Sequence, residues 1–421
     1  MRNPLAFHSL TPAVMVLGVA LAVAGSNCAD AKVESGEVSV LEFIPANERA
    51  AIAAGTSRYD ATAAIHAARD KVRGTGKTLF LPPGTYYVGE VKFSGSKYQI
   101  RSEGVTFRQK PGLTGDGQLH PIIAFTPDAN NIRMGDIRLI GNIAADRDEF
   151  SHGIMVFSAD NITIGDIYGE NIRGDVIYTY GRTTSEAEYQ RGLVTGVVTG
   201  RNIYRCIVAM AGGEAKIAGI VQAGPVGYRD FDAEPNRGGA YQPVTAQIGF
   251  IQGSVVQITS DDPNIINDDI RIARLDLDGR RIANSVPNYP HHAGDNAIAL
   301  SINRVASVDV GELRVENYLS YPIALFDRWR SVRIGSLDFR NSNTVETTYK
   351  TIVLQHGMAG EGVLTIDRLT GRLADPSRMA LRSDEGMLKV EVGRMDVTGG
   401  RRGVYLTGRI GGVRLKGNGF Q

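Results

Sequence analysis

Ile132-Arg133-Met134-Gly135-Asp136-Ile137 is the phrase on which the fold turns, because the chain repeats it as Ile162-Thr163-Ile164-Gly165-Asp166-Ile167. It returns as Val308-Asp309-Val310-Gly311-Glu312-Leu313, Val332-Arg333-Ile334-Gly335-Ser336-Leu337 and Val390-Glu391-Val392-Gly393-Arg394-Met395. Ile270-Arg271-Ile272-Ala273-Arg274-Leu275 and Leu364-Thr365-Ile366-Asp367-Arg368-Leu369 are copies that have lost the glycine. Within each phrase apolar and polar residues alternate, the two-residue period of a strand with one buried face. The glycine is expected to supply the bend from one strand into the next. Nearest copies lie 30, 24, 32 and 26 residues apart in the clearest stretches, which is the length of a coil and not of a hairpin.

Working outward, a further strand precedes each phrase. Its first buried aliphatic is expected at Ile154, Ile177, Ile207, Val256, Ile298, Ile323, Ile352 and Val404, with a weaker member at Ala380. Two or more strands per coil at such a period describe a β-solenoid. A propeller needs blades of about 40 residues with their own signatures, and an array of sandwiches needs linkers rich in Pro or Ser; neither is visible. The 50 glycines among 421 residues also exceed the usual share of about 7%. The expected class is all-β: a single-stranded parallel β-helix.

Before the repeats stands a segment of another kind. Arg2 is followed by an apolar run from Ala13 to Ala24, short of the roughly 20 residues that span a bilayer. Ala29-Asp30-Ala31 then offers a small-x-small cleavage pattern. The expectation is a signal peptide over residues 1–31, an extension over 32–55, and a secreted or periplasmic chain beginning near Lys32. The rival, acylation at Cys28, is disfavoured by Gly25-Ser26-Asn27 before it. With 46 basic and 45 acidic residues, nothing resembles the basic excess of a nucleic-acid binder, and no later stretch suits a membrane span. After cleavage a single cysteine remains, Cys206, so no internal disulfide can form.

Asp60-Ala61-Thr62-Ala63-Ala64-Ile65 opens a helix expected over about 60–73, with Asp60 or Thr62 as N-cap and Ala64, Ile65, Ala68 and Val72 on one face. Thr78-Leu79-Phe80-Leu81-Pro82-Pro83-Gly84-Thr85-Tyr86 follows. This helix-and-strand pairing resembles the first coil of the pectate-lyase superfamily, which includes polygalacturonases, phage tailspikes, alginate epimerases and exopolysaccharide depolymerases. The resemblance implies a right-handed β-helix over 56–421 with an N-terminal capping helix. It does not select a reaction. Such a cap would cover the open edge and core of the first coil. The C-terminal Leu415-Lys416-Gly417-Asn418-Gly419-Phe420-Gln421 shows no equivalent, which leaves an edge to be protected by a loop, by a partner subunit in a homo-oligomer, or by a surface.

Equivalent positions of successive coils stack about 4.8 Å apart, so aligning the first strands predicts neighbours. Two residues before each anchor the ladder reads His152, Asp175, Arg205, Ser254, Asn296, Tyr321 and Lys350, with Tyr178 and Tyr180 pointing outward. Two insertions precede first strands: 227–242, with Tyr228, Arg229, Arg237 and Tyr241, and 280–295, with Tyr289, His291 and His292. Aromatic rings suit stacking on sugars, and arginines suit bidentate carboxylate binding. Gln257 and Arg328 complete the expected substrate-binding set.

Three functions follow. Elimination beside a uronic acid needs a base for the C5 proton, a carboxylate neutraliser and an acid. His152 or Tyr178, Arg205, and Tyr180 or His292 fill these roles, with Asp175 orienting its neighbours; C5 epimerisation would use the same groups. Hydrolysis would fall to Asp175, Asp261, Asp262 or Asp295. Asp175 and Asp295, however, sit three rungs or about 14 Å apart, beyond the roughly 5–9.5 Å of a glycosidase pair. Third, the His-Asp-Arg ladder is equally a stacked ion-pair array on a non-catalytic, carbohydrate-binding solenoid. Asp261-Asp262 and Asp268-Asp269 could bind Ca2+, though no loop pattern demands a cofactor. Cys206 reads as a small filler, and Trp329 as packing or a sugar platform.

Overall fold

The computed structural model describes residues 33–112, 119–143, 150–181, 191–224, 226, 253–259, 267–279, 297–318, 321–343, 350–356, 362–384, 386–387, 389–400, 403–407 and 412–415. These residues form 26 strands in one continuous ladder, and each pairing among them is parallel. Three faces are wound by the early coils. The first holds Ile123–Phe125, Ile154–Phe157, Ile177–Tyr180 and Val208–Ala211; the second Asn130–Met134 and Asp160–Ile164; the third Val105–Gln109, Ile137–Ile140 and Ile167–Ile172. Parallel crossovers of this kind wind right-handed. The chain is a right-handed parallel β-helix; the repeat predicts the solenoid, and the resemblance implies the hand.

The phrases stack in register. Ile132 pairs with Ile162, Ile270 with Val308, Val308 with Val332, Val332 with Leu364 and Leu364 with Val390. Between Ile162 and Ile270 lie two coils that the pattern did not reveal, carried by Leu193–Ile203 and Gly213–Gln222. In the first of them Thr195 takes an apolar position and is nonetheless buried, which breaks the alternation a reader looks for.

The first-face ladder is Ile123, Ile154, Ile177, Val208, Val256, Leu300, Ile323, Val353, Leu381 and Val404. Ile207, Ile298, Ile352 and Ala380 are therefore not its members. Ile207, Ile352 and Ala380 immediately precede the true anchors and are buried too, so alternation cannot choose between neighbours. Ile298 is displaced by two positions, with buried Ala299 between it and Leu300.

The corner glycines serve a different need from the one expected. None of Gly135, Gly165, Gly311, Gly335 and Gly393 has a positive φ. A Cβ on Gly335 would stand 2.5 Å from the carbonyl oxygen of Gly311, and one on Gly393 2.6 Å from that of Asp367. Glycine is there because the preceding coil approaches too closely for a side chain. At another corner asparagines take the left-handed conformation that they tolerate best: Asn171, Asn202, Asn317 and Asn341 have φ of 43–60°. They bond in a column, with Asn202 donating to Asn171 and Asn341 to Asn317.

The N-terminal end is capped by helix α1 (Ala46–Ala53) and helix α2 (Thr62–Val72). In α2 the residues Ala64, Ile65, Ala68 and Val72 face inward, as their spacing predicts. Its N-cap position is Ala61; Asp60 acts one residue early by accepting the Thr62 N–H at 3.0 Å. Glu37–Ser39 adds a strand beside Thr78–Phe80. Arg101 clamps Glu37 from the next coil and lies over Phe80, 3.5 Å from the ring centroid. Among the described residues no helix is long and apolar enough to cross a membrane.

Candidate functional site

Asp175 sits in the turn before the strand Ile177–Tyr180, directly above His152 and below Cys206 in the ladder. It is completely buried, and His152 is 1% exposed. The Asp175 N–H donates to Nδ1 of His152 at 3.1 Å, and Oδ2 of Asp175 lies 3.2 Å from the same nitrogen. Nδ1 thus faces both a donor and a carboxylate of one residue. A neutral ring accepts from the first, and an imidazolium donates to the second. On the other side Oδ1 accepts the Cys206 N–H at 2.9 Å and faces Nε of Arg205 at 3.6 Å. Burial opposes ionisation of Asp175, but the Arg205 charge, the hydrogen bond and charge of His152 and the Cys206 N–H outweigh it. Its carboxyl is held below the usual carboxylate range.

Gly174 makes this stacking feasible, since a Cβ there would meet Nδ1 of His152 at 2.6 Å. In front of the dyad stands Tyr178, whose ring stacks on His152 with centroids 4.6 Å apart and planes 11° from parallel. Tyr180 follows two residues on, 6.1 Å from Tyr178, and Phe157 of the preceding coil stacks on Tyr180 at 5.5 Å. Tyr178 and Tyr180 alternate with buried Ile177 and Thr179, so both point away from the core and are half-buried. The result is an aromatic row on the outer first face, backed by a sealed His152–Asp175 pair with Arg205 half-buried beside it.

His152, Asp175, Arg205, Tyr178 and Tyr180 are therefore brought together as the ladder predicts, with one correction. The residue in register with Asp175 is Cys206, because the Ile177 partner is Val208; Arg205 is one position early and reaches the carboxylate sideways. By the same register Ile298 and Thr351 replace Asn296 and Lys350 on the ladder. Gln257 joins the cluster two rungs from Tyr178 through Ala209, and Sγ of Cys206 lies 3.6 Å from its Oε1. Arg328 does not belong to it. It is exposed and follows Phe326 on a coil four rungs from Tyr180, about 19 Å at the usual rung spacing. Tyr228, Arg229, Arg237, Tyr241, Tyr289, His292, Asp295 and the Asp261-Asp262 pair lie outside the described residues.

Cys206 is buried as a filler, with its backbone serving Asp175. Trp329 is inside and packs against Gly362. Asp268 and Asp269 are occupied by Ser307 and Arg271, and among the described residues no group of three or more potential metal ligands gathers. Residues that the ladder argument passed over are Phe157 and Tyr168. Phe157 was discoverable as the outward partner of Tyr180. An open groove of about 540 Å³ lies on the third face, lined in part by Asp136, Arg138, Asp166 and Tyr168. One oxygen of each carboxylate is occupied by the N–H group of Asp166 or Val197, and Arg138 by Glu170.

No family model matches the chain, and no curated protein matches it either. Solved structures do. The A-module of a mannuronan C-5 epimerase from Azotobacter vinelandii aligns with 91% of this chain and 100% of its own, at 14% identity and a TM-score of 0.46. An iota-carrageenase complexed to iota-carrageenan fragments aligns over 90% of this chain and 92% of its own, at 11% identity and 0.44. The surface protein and adhesin PfbA of Streptococcus pneumoniae aligns over 90% and 97%, at 12% identity and 0.40. Each likeness is one of fold, and the parallel β-helix of this chain stands on its own strand register.

Proposed function

We propose that the protein is a carbohydrate-active enzyme acting outside the cytoplasm on a uronate-containing polysaccharide, by abstraction of the C5 proton and β-elimination. The observation that carries this reading is Tyr178 stacked on the buried His152–Asp175 pair within an outward aromatic row. In the elimination the C5–H electrons form the C4–C5 double bond, the C4–O bond breaks, and the leaving oxygen takes a proton. Tyr178, acting as the phenolate, stands on the substrate side and takes the C5 proton to become the phenol; Tyr180, on the same strand face, gives its hydroxyl proton to the leaving oxygen, and the two exchange protonation states before the next turnover. His152 is a positioning residue that supports the Tyr178 ring, and Asp175 holds its Nδ1. Phe157 and Tyr180 offer flat apolar faces to a sugar ring. Epimerisation would use the same abstraction and return a proton to the opposite face.

The test is ultraviolet absorbance of unsaturated uronate ends during incubation with a panel of acidic polysaccharides, with Tyr178→Phe and His152→Ala alongside. Rising absorbance that Tyr178→Phe abolishes supports elimination. New reducing ends without absorbance transfer the reading to hydrolysis. A second reading is favoured by one observation: the dyad is sealed from solvent and joined through Nδ1 of His152. Such an array suits a carbohydrate-binding solenoid, and glycan retention without any product would select it.

A further inference from the structure

The open groove of about 540 Å³ on the third face spans several coils. Its outward column reads Thr106, Arg138, Tyr168 and Thr199, each in register with the next. The Tyr168 ring is half-buried. Arg138 lies over one of its faces, 4.8 Å from the centroid, and Glu170 holds that guanidinium in place. On the other side the neighbour is Thr199, a side chain too short to cover a ring.

Asp136 and Asp166 border the same groove, one coil apart and both exposed. Oδ1 of Asp136 accepts the Asp166 N–H, and Oδ1 of Asp166 accepts the Val197 N–H, each at 2.8 Å. The corner thus fixes both carboxylates and uses one oxygen of each. Neither Oδ2 has a partner among the described residues.

Elsewhere the same face is closed. Followed onward, the column reaches Asp276, Arg314, Asp338 and Asp396. Each of these is paired along its own strand: Asp276 with Arg274, Arg314 with Glu316, Asp338 with Arg340 and Asp396 with Arg394. Only the early coils set half-used carboxylates beside an uncovered ring. That combination fits a sugar. An aromatic face takes the C–H side of a pyranose, and a carboxylate oxygen accepts strongly from a hydroxyl. The one arginine is already paired, so the two aspartates leave the groove negative and repel a carboxylated sugar.

We infer that the third-face groove is a second, non-catalytic glycan site that binds neutral pyranose residues, with Tyr168 as platform and Asp136 and Asp166 as hydroxyl acceptors. It goes beyond the first-face reading and holds whether that face eliminates, hydrolyses or only binds.

The experiment is calorimetric titration of the full protein with short neutral oligosaccharides of glucose, mannose, galactose and xylose. Oligomers of galacturonate and of glucosamine serve as the charged counterparts. Tyr168→Ala removes the platform, and Asp166→Asn keeps an acceptor for the Val197 N–H while trading the second oxygen for a donor. Thr199→Tyr covers the open side of the ring, and Tyr180→Ala is the first-face control. At least one neutral oligosaccharide is expected to bind, with affinity falling tenfold or more in Tyr168→Ala and Thr199→Tyr, falling less in Asp166→Asn, and unchanged in Tyr180→Ala. The melting temperature of Thr199→Tyr should match that of the parent, because an aromatic cross-strand pair suits a sheet surface; misfolding then cannot explain its loss of binding. Failure of every neutral oligosaccharide to bind would overturn the inference, as would binding that survives Thr199→Tyr and disappears in Tyr180→Ala. So would a uronate or glucosamine oligomer held through Tyr168 more tightly than any neutral one. Neutral binding that depends on Tyr168 stands even where no glycan yields unsaturated product.

Discussion

The N–H of Cys206 donates to Oδ1 of Asp175 at 2.9 Å, across the boundary between two coils. One rung's carboxylate is therefore bound by the next rung's backbone, while its own N–H is given to the rung below. This makes Asp175 a fastener between three coils as well as a member of the candidate site.

Removing that carboxylate should be expensive. Asp175→Ala leaves the Cys206 N–H and the Arg205 charge without their acceptor, and a broken buried pair costs about 3–5 kcal/mol. Asp175→Asn keeps one acceptor and should cost less. Denaturant unfolding of the two variants checks the order; equal stability of Asp175→Ala and the parent would refute it.

Acid should act through the same group. The folded carboxyl titrates below its unfolded value, so its contribution is full above the ordinary aspartate value of about 3.9 and is lost as pH falls through the lower folded value. Melting temperatures measured downward from neutral pH should fall more steeply for the parent than for Asp175→Asn.

A second titration concerns the cap. Nε2 of His66 accepts the Lys92 N–H at 2.9 Å, and burial, with the nearby Arg69 charge, lowers its pKa from the ordinary 6.5. The unfolded chain binds the proton first, so this contribution is full above about 6.5 and is lost as pH falls through the depressed folded value. Hydrogen exchange of the Lys92 amide should accelerate over that window in the parent.

The corner glycines predict a contrast. A Cβ on Gly335 would lie 2.5 Å from the Gly311 carbonyl, whereas one on Gly412 meets only the Lys389 side chain at 3.9 Å. Gly335→Ala should destabilise by roughly 1–3 kcal/mol, the usual cost of overpacking, and Gly412→Ala should be near neutral. Two equal melting temperatures would show that the coils yield more easily than the geometry implies.

Tyr178→Phe keeps the ring stacked on His152 and removes only the hydroxyl. If Tyr178 carries the proton, kcat should fall about 10²–10⁴-fold with little change in melting temperature. An unaltered rate would leave the ring as packing alone.

The sequence by itself determined the solenoid, because coil stacking requires an apolar residue every second position, and that requirement is written in the phrase from Ile132 to Ile137 and its copies; why glycine stands at several of the corners was shown only by the packing of the coils. It also determined that His152, Asp175 and Tyr178 would meet, since equal steps in a repeat become neighbours in space. Which of two adjacent aliphatics faced the core at Ile207–Val208 was beyond it, because both are buried and the alternation falls silent there. The tertiary structure alone decided that Cys206 would sit above Asp175, that Asp175 and His152 would be sealed from solvent, and that Arg328 would stand apart. It alone placed Thr199 beside Tyr168, because the coil that carries Thr199 buries Thr195 at an apolar position and so hides its register. A ring whose next neighbour is small stands open, and only the packing of the coils tells which neighbour it has.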